Sequence, residues 1–391
     1  MNWEPKSLNE LGYVRRGRSR HRPRDAAHLY GGPYPFVQTG DIKHAGLYLT
    51  DYSQTYSDAG FAQSRMWSAG TLCITIAANI ADTAILGIDA CFPDSVIGFI
   101  PHDGVADVRF IKYLFDALLQ RRYQQFTQGA AQDNLSQAKL LSLKLPIPSI
   151  NEQNRIADTL SAYDDLIENN RRRIQLLEQA ARLLYREWFI HLRFPGHEHA
   201  KIIDGVPEGW KKMSLSEITT ITMGQSPKSI YYNKDGNGLP FHQGVTNFGA
   251  RFPSHETYCT LQSRIAEPGD ILFSVRAPVG RINITLDKII IGRGLAAIQS
   301  KYNQQNLLFY ALKSHFFKED IMGGGAIFAA ITKNDLHRVK LMQPTNRVAE
   351  MFIEYVRPMD LQIANLQQSI NCLNKARDLL LPRLMNGEIT V

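Results

Sequence analysis

Gly129-Ala130-Ala131-Gln132-Asp133-Asn134-Leu135-Ser136 is answered, 196 residues later (325 minus 129), by Gly325-Ala326-Ile327-Phe328-Ala329-Ala330-Ile331-Thr332. The same offset aligns Leu140 with Leu336, Lys144 with Lys340, Leu145 with Leu341 and Pro148 with Pro344. It runs on without a gap through Asp164/Asp360, Ile167/Ile363, Ile174/Ile370, Leu177/Leu373 and Leu184/Leu380. Nearer the start of each half the offset drifts, as loop insertions would make it. Ser7-Leu8-Asn9-Glu10-Leu11 lies over Ser214-Leu215-Ser216-Glu217-Ile218, and Pro35-Phe36-Val37-Gln38 over Pro240-Phe241-His242-Gln243. Ordered matches over most of two halves make the chain a duplication, and a duplication decides architecture before any single element does.

Each half ends in the same kind of segment. After Pro148, apolar residues fall at Ile156, Leu160, Tyr163, Ile167, Ile174, Leu177, Ala181, Leu184 and Trp188, with Asn170 at the one polar place. Steps of four and three are a heptad seam, which a helix needs when it packs along another helix. The second half repeats it at Phe352, Val356, Met359, Ile363, Leu366, Ile370, Leu373, Leu380 and Leu384, broken once by Arg377 beside Ala376. Ser149 with Glu152 suggests a capping box at the first helix's start. Each seam is roughly 55 Å long at 1.5 Å per residue. The two helices either pack on their own globular halves or pair with each other. A whole globular half lies between them in the chain, so pairing would be antiparallel, with Asn170 helping to set the register and the two halves at opposite ends of a rod.

Ahead of the helices the pattern is mixed α and β. Gly70 to Ala77, Gly269 to Arg276 and Ile289-Ile290-Ile291 predict strands; Phe110 to Phe126 and Asn306 to Phe317 have helical spacing. The 391 residues are 44% hydrophobic and 21% charged, which excludes collagen-like, wholly coiled-coil and disordered chains. No stretch of about 18 apolar residues would span a bilayer, and the start lacks the blocks of a signal peptide. The four cysteines (73, 91, 259 and 372) form no CxxC pair, so neither a zinc site nor a disulfide framework is expected. A reduced, cytoplasmic chain is the expectation.

The net charge of +7 is concentrated. Arg15, Arg16, Arg18, Arg20, Arg22 and Arg24 fall in ten residues without an acid, and removing them leaves 7 minus 6, or +1, for the other 381. Gly17 and Pro23 argue for a loop there. Arginine suits phosphates and guanine edges because its planar fork donates two parallel hydrogen bonds, so a polyanion is the partner this cluster points to; a merely solvated loop is the other reading.

Catalytic patterns do not match. Pro93-Asp94 is not followed by the E-x-K of a magnesium nuclease, and Glu4-Pro5-Lys6 stands alone. The Gly-rich turn and Asn/Asp-Pro-Pro-aromatic loop of an adenine methyltransferase do not occur. Gly323-Gly324-Gly325 is too far from Lys333 for a phosphate loop, and the eleven histidines show no ligand spacing. No metal site and no catalytic residue is expected.

A duplicated, non-catalytic chain with an arginine loop suggests a two-site reader of a long polymer, and here the resemblance becomes specific. Gly238-Leu239-Pro240-Phe241-His242-Gln243-Gly244-Val245, Gly269-Asp270-Ile271-Leu272-Phe273-Ser274-Val275-Arg276-Ala277-Pro278-Val279-Gly280 and Ile291-Gly292-Arg293-Gly294 resemble the specificity subunit of type I restriction-modification systems. So do Ile331-Thr332-Lys333-Asn334-Asp335-Leu336, Leu145-Pro146-Ile147-Pro148 with Asn151-Glu152-Gln153, and the ending Leu381-Pro382-Arg383-Leu384-Met385-Asn386-Gly387-Glu388-Ile389. The first half departs more, with Ala77-Ala78-Asn79-Ile80 where the second has Arg276-Ala277-Pro278-Val279, so the two halves are expected to read different sequences.

The resemblance implies a mixed α/β chain of two target-recognition domains, related by a pseudo-two-fold duplication and separated by two long antiparallel coiled-coil helices. The expected boundaries are 1–148 and 210–344 for the domains, 149–190 and 345–388 for the spacer helices, and 191–209 for a linker. Each domain would read half of a split target in double-stranded DNA. Methyltransferase subunits, docked on the helices and using S-adenosylmethionine, and restriction or motor subunits, using ATP and magnesium, would supply the chemistry. No cofactor is expected on this chain. Adjacent major-groove faces lie about 34 Å apart, within reach of the rod estimated above.

The candidate DNA contacts in the first lobe are Arg15, Arg16, Arg18, Arg20, Arg22, Arg24, Gln38, Thr39, Asp41 and Lys43. In the second they are Gln225, Ser226, Lys228, Gln243, Thr246, Asn247, Arg276, Arg281 and Arg293. Phosphate contacts position and base contacts specify; Gln and Asn pair with adenine, Arg with guanine. Arg276 and Arg293 have an alternative, pairing with carboxylates inside the lobe. Two rival classes are a nuclease with an unrecognised site and a coiled-coil scaffold without DNA.

Overall fold

The computed structural model describes residues 3–77, 80–126, 136–316 and 330–390. Residues 129–135 and 325–329 of the opening repeat, residues 78–79 of the departing phrase, Phe317, and the Gly-rich 323–325 lie outside them. The chain divides into two units, Met1–Arg173 with Leu366–Val391, and Ile174–Asn365.

The first unit holds a five-stranded sheet ordered Gly12–Arg16, Val96–Pro101, Leu72–Thr75, Thr83–Leu86, Tyr48–Leu49, beside a four-stranded one ordered Gln54–Tyr56, Tyr30–Phe36, Ala90–Cys91, Met66–Trp67. The second unit repeats the order Thr219–Met223, Leu295–Ser300, Ile271–Ser274, Ile282–Ile284, and beside it Tyr232–Asn233, Tyr258–Cys259, Leu239–His242, Ile289–Ile291, Ile265–Ala266. In each unit one short parallel pairing joins the matched strands, Phe36 opposite Cys91 and Phe241 opposite Ile290. The aligned Ser7 and Ser214 open matched turns: each main-chain N–H donates at 2.7 Å to the carboxylate three residues on, Glu10 and Glu217. Bonds from Lys144 and Ser7 hold Glu10 down to about 2. The duplication thus extends from sequence spacing into strand order and capping.

Both predicted long helices form, Ile150–Tyr185 and Asn346–Met385. The first stops short of position 190: Arg186–Ile190 takes a wider π turn, which lets the neighbours Trp188 and Phe189 both meet Phe352, with ring centroids at 5.8 and 5.0 Å. The Ser149 hydroxyl accepts from the Glu152 N–H at 3.4 Å, whereas a Glu152 oxygen accepts from the Trp3 indole at 3.3 Å. Tertiary contact takes that side chain from the reciprocal half of the expected box.

Within the first unit Asn170 donates to the Ser369 hydroxyl at 3.2 Å and Arg377 to Asp164, so one residue number rises as the other falls and the two segments run in opposite directions. Leu384 and Met385 complete the core formed by Leu8, Phe110, Leu114, Ile156 and Leu160. In the second unit Tyr185, Trp188 and Phe189 pack with Phe352, Leu336 and Leu308. Each core is therefore assembled from stretches remote in sequence, and burial of such apolar area is the dominant favourable term in folding. Among the described residues no helix is long and apolar enough to cross a membrane.

Candidate nucleic-acid interface

In the first unit the arginine cluster begins on a strand. Arg15 and Arg16 belong to Gly12–Arg16, opposite Gly98 and Ile97, which corrects the expectation of a loop throughout. The sheet's demand for paired backbone decides this: Gly17 continues the pairing, its N–H donating to Val96 O at 2.8 Å. A Cβ at Gly17 would stand 2.3 Å from the carbonyl oxygens of Phe92 and Pro93, so only glycine lets the chain cross there. Beyond it the chain leaves the sheet. Gln63 Oε1 accepts from the N–H of His21 at 3.0 Å and from that of Arg20, clamping the loop.

The six arginines separate into kinds. Arg24 grips Asp94 at 2.8 and 3.0 Å, and Arg22 lies 3.9 Å from it while bonding Ser19 O and His21 O at 2.9 and 2.8 Å. An acid seventy residues on thus supplies what the local run lacks. Arg18 is half-buried, and its Nε has no partner among the described residues. Arg15, Arg16 and Arg20 are exposed and meet no carboxylate among the described residues. Arg15 lies 5.5 Å from the centre of the Tyr13 ring. Arg65, which sequence reasoning missed, covers Tyr13 at 5.4 Å and Trp67 at 4.5 Å and donates to the Tyr13 hydroxyl at 2.9 Å. The Arg-Met-Trp string at 65–67 was its one visible signal.

Gln38 ends the strand path at the entry to the helix Thr39–His44 and donates through Nε2 to Gln54 Oε1 at 2.6 Å. Asp41 is committed locally, accepting from the Gln38 N–H at 2.8 Å and the Ser53 hydroxyl at 3.2 Å. It caps that helix; Thr39 opens it, and Lys43 is exposed in its last turn.

The second unit brings Ser226, Gln243 and Arg293 together from three separate loops. Ser226 bonds Gln243 at 2.7 Å and both the main-chain N and Nε of Arg293, at 3.2 and 3.4 Å. Gln225 anchors the first loop through its N–H on Ile291 O at 3.0 Å. The approach needs glycine: a Cβ at Gly224 would meet Gly292 O at 2.1 Å. Beneath Gln243, His242 is 3% exposed and linked to His255 at 2.9 Å, which reaches Asp287 at 3.0 Å. Burial, with the neighbouring His255, pushes His242 down to about 4.

The other candidates are more dispersed. Thr246 is exposed, and the Asn247 carbonyl accepts from Ser254 N at 2.9 Å. Lys228 is exposed ahead of the turn Ser229–Tyr231. Arg276 and Arg281 are exposed on one loop, which Ser274 pins by accepting from Arg281 N at 2.8 Å and donating to Pro278 O at 2.7 Å. Among the described residues neither Arg276 nor Arg293 takes the alternative of a carboxylate. A different arginine does: Arg251, 3% exposed, bonds Asp360 and lies 3.8 Å from Glu178 and 4.5 Å from the Phe309 ring centre.

Both lobes therefore offer exposed guanidinium groups, and the second also an exposed amide at Gln243, chemistry fitted to phosphates and base edges. Among the described residues no group of three or more His, Cys, Asp or Glu is placed to hold a metal.

Comparison with known proteins follows the same line. The family model described as type I restriction modification DNA specificity domain matches residues 1–179 and 207–374. A putative type I restriction enzyme MjaX specificity subunit of Methanocaldococcus jannaschii is 33% identical over 298 residues, covering 74% of this chain and 70% of that protein. The MjaIX specificity subunit of the same organism is 25% identical over 411 residues, covering 100% of this chain and 94% of that protein. The crystal structure of a type I restriction-modification S subunit from M. genitalium has the same fold, with a TM-score of 0.64 at 17% identity, over 98% of this chain and 96% of that one.

Proposed function

The chain belongs to the type I restriction modification DNA specificity family, and on that premise we propose that it is the sequence-specific DNA-binding subunit of a type I restriction-modification complex. Each lobe reads one half of a bipartite target. The observation that carries this is the pair Gln38 and Gln243: equivalent positions at the ends of matched strands in two copies of one fold, yet bonded to different partners, Gln54 and Ser226. One scaffold with two sets of reading side chains is what a split, asymmetric target requires.

The long helices act as the antiparallel coiled-coil spacer between lobes, so that helix length, not a base contact, sets the gap between half-sites. Methyltransferase subunits dock on these helices. In support, Leu176 and Leu183 stand seven residues apart on the first long helix and are 57% and 46% exposed, apolar surface that water does not favour. S-adenosylmethionine belongs to those subunits, and ATP and magnesium to the restriction or motor subunits; this chain contributes recognition and no catalysis. Co-expression with the methyltransferase, followed by methylome sequencing, tests the reading. A split methylated motif is expected, and its absence, together with no retention of the complex on duplex DNA, would overturn it.

A further inference from the structure

Ser226, Gln243 and Arg293 form hydrogen bonds whose direction can be worked out atom by atom. A serine hydroxyl has one proton to donate and two lone pairs to accept with. The main-chain N–H and the Nε–H of Arg293 reach the Ser226 oxygen at 3.2 and 3.4 Å. Neither nitrogen can accept, so both lone pairs are taken, and the serine proton goes to Gln243 Oε1 at 2.7 Å. Turning the amide over would set a donor against a donor.

Gly292 closes the other side. A Cβ there would stand 2.7 Å from Gln243 Oε1 and 2.8 Å from its Cα. The main chain is held as well, by Gly292 N on His242 O at 2.8 Å and Gly294 N on Gln243 O at 3.0 Å. With Oε1 committed inward, the exposed amide offers Nε2 and its two hydrogens outward.

From this we infer that Gln243 reads a guanine in the major groove as an obligate donor, and that Ser226 is the positioning residue that sets its polarity; the inference rests on the DNA-recognition reading above. Guanine presents two neighbouring acceptors, N7 and O6, whereas adenine presents N7 beside the N6 amino donor. The usual paired bonding of glutamine to adenine needs a free Oε1, and here that oxygen lies between Ser226 and Gly292. In the first lobe Gln38 spends its Nε2 on Gln54, so the matched residue does not share this polarity.

The test is selection of duplexes from a pool randomised across both half-sites, using the full chain assembled with its methyltransferase. The wild type is expected to require guanine at one position. Ser226→Ala frees the amide to turn, admits adenine there and lowers the guanine-over-adenine preference on the order of tenfold. Gln243→Glu replaces the outward donor with an acceptor and moves the preference to cytosine, whose N4 amino group donates; this exposed change carries the test even where Ser226→Ala fails to fold. A Gln243-dependent position that is not guanine, or a motif unchanged in both variants, overturns the inference while leaving DNA recognition standing. No enrichment by the wild type overturns DNA recognition and this inference together.

Discussion

The Tyr310 hydroxyl donates to the Asp360 carboxylate at 2.6 Å, and in the other unit Tyr113 makes the same bond to Asp164, the residue 196 places before Asp360. In each unit a tyrosine of the lobe's own helix thus holds an aspartate of a long helix. The arginines that complete the two sites differ. Asp164 takes Arg377 from the second long helix, whereas Asp360 takes Arg251 from a loop of the second lobe. Duplication preserved the tyrosine–aspartate contact and let its counter-charge diverge.

Asp360→Ala leaves the guanidinium of Arg251, 3% exposed, with only the longer 3.8 Å approach to a carboxylate, that of Glu178, among the described residues. Removing one partner of a buried pair costs about 3–5 kcal/mol. Asp164→Ala leaves Arg377, 25% exposed, able to reach water, and its cost is smaller. Urea unfolding of the two variants checks the order; equal midpoints would contradict it.

Acid destabilises the second unit through His242. In the unfolded chain this group titrates near 6.5, and in the folded protein near 4. Between those values the unfolded chain binds more protons, so stability is full above pH 6.5 and declines as pH falls towards 4. The ceiling is about 3 kcal/mol. Urea midpoints measured from pH 7 to 4 are expected to fall less steeply in His242→Gln than in the wild type.

Arg15→Ala with Arg16→Ala weakens duplex binding and flattens its salt dependence, the slope of log K against log salt decreasing by about 0.9 for each phosphate no longer neutralised. Arg24→Ala does less, because Asp94 already neutralises that guanidinium at 2.8 Å. Fluorescence anisotropy at several salt concentrations distinguishes them, and an unchanged slope in the double variant removes this strand from the interface.

Leu176→Glu with Leu183→Glu puts two carboxylates into the exposed apolar surface on the first long helix. These positions are not core, so thermal unfolding of the full chain is expected to stay within a few degrees of wild type while co-purification of the methyltransferase is abolished. Retention of the partner at wild-type stoichiometry would exclude that face as its dock.

The repeat, the heptad seams, the strand candidates and the family resemblance were all legible in the sequence, because each is a pattern among near neighbours or a spacing between two copies. Gln38, Gln243 and the exposed Arg15 and Arg16 were legible as residue types suited to base edges and phosphates. Their individual circumstances were not. Arg24 looked as free as Arg16 until the fold brought Asp94 to it, and Asp41 looked free to reach DNA until Gln38 and Ser53 were found bonded to it.

By itself the sequence determined that two copies of one mixed α/β lobe are each followed by a long amphipathic helix, since periodicity commits a segment to helix or strand wherever it later packs. Only the tertiary structure decided that Leu384 and Met385 close the core of the first unit, that Arg251 is buried on Asp360, and that Gln243 Oε1 accepts from the Ser226 hydroxyl. Those outcomes depend on atoms brought together from distant parts of the chain, where close packing and the satisfaction of every buried donor and acceptor, not local preference, select one arrangement.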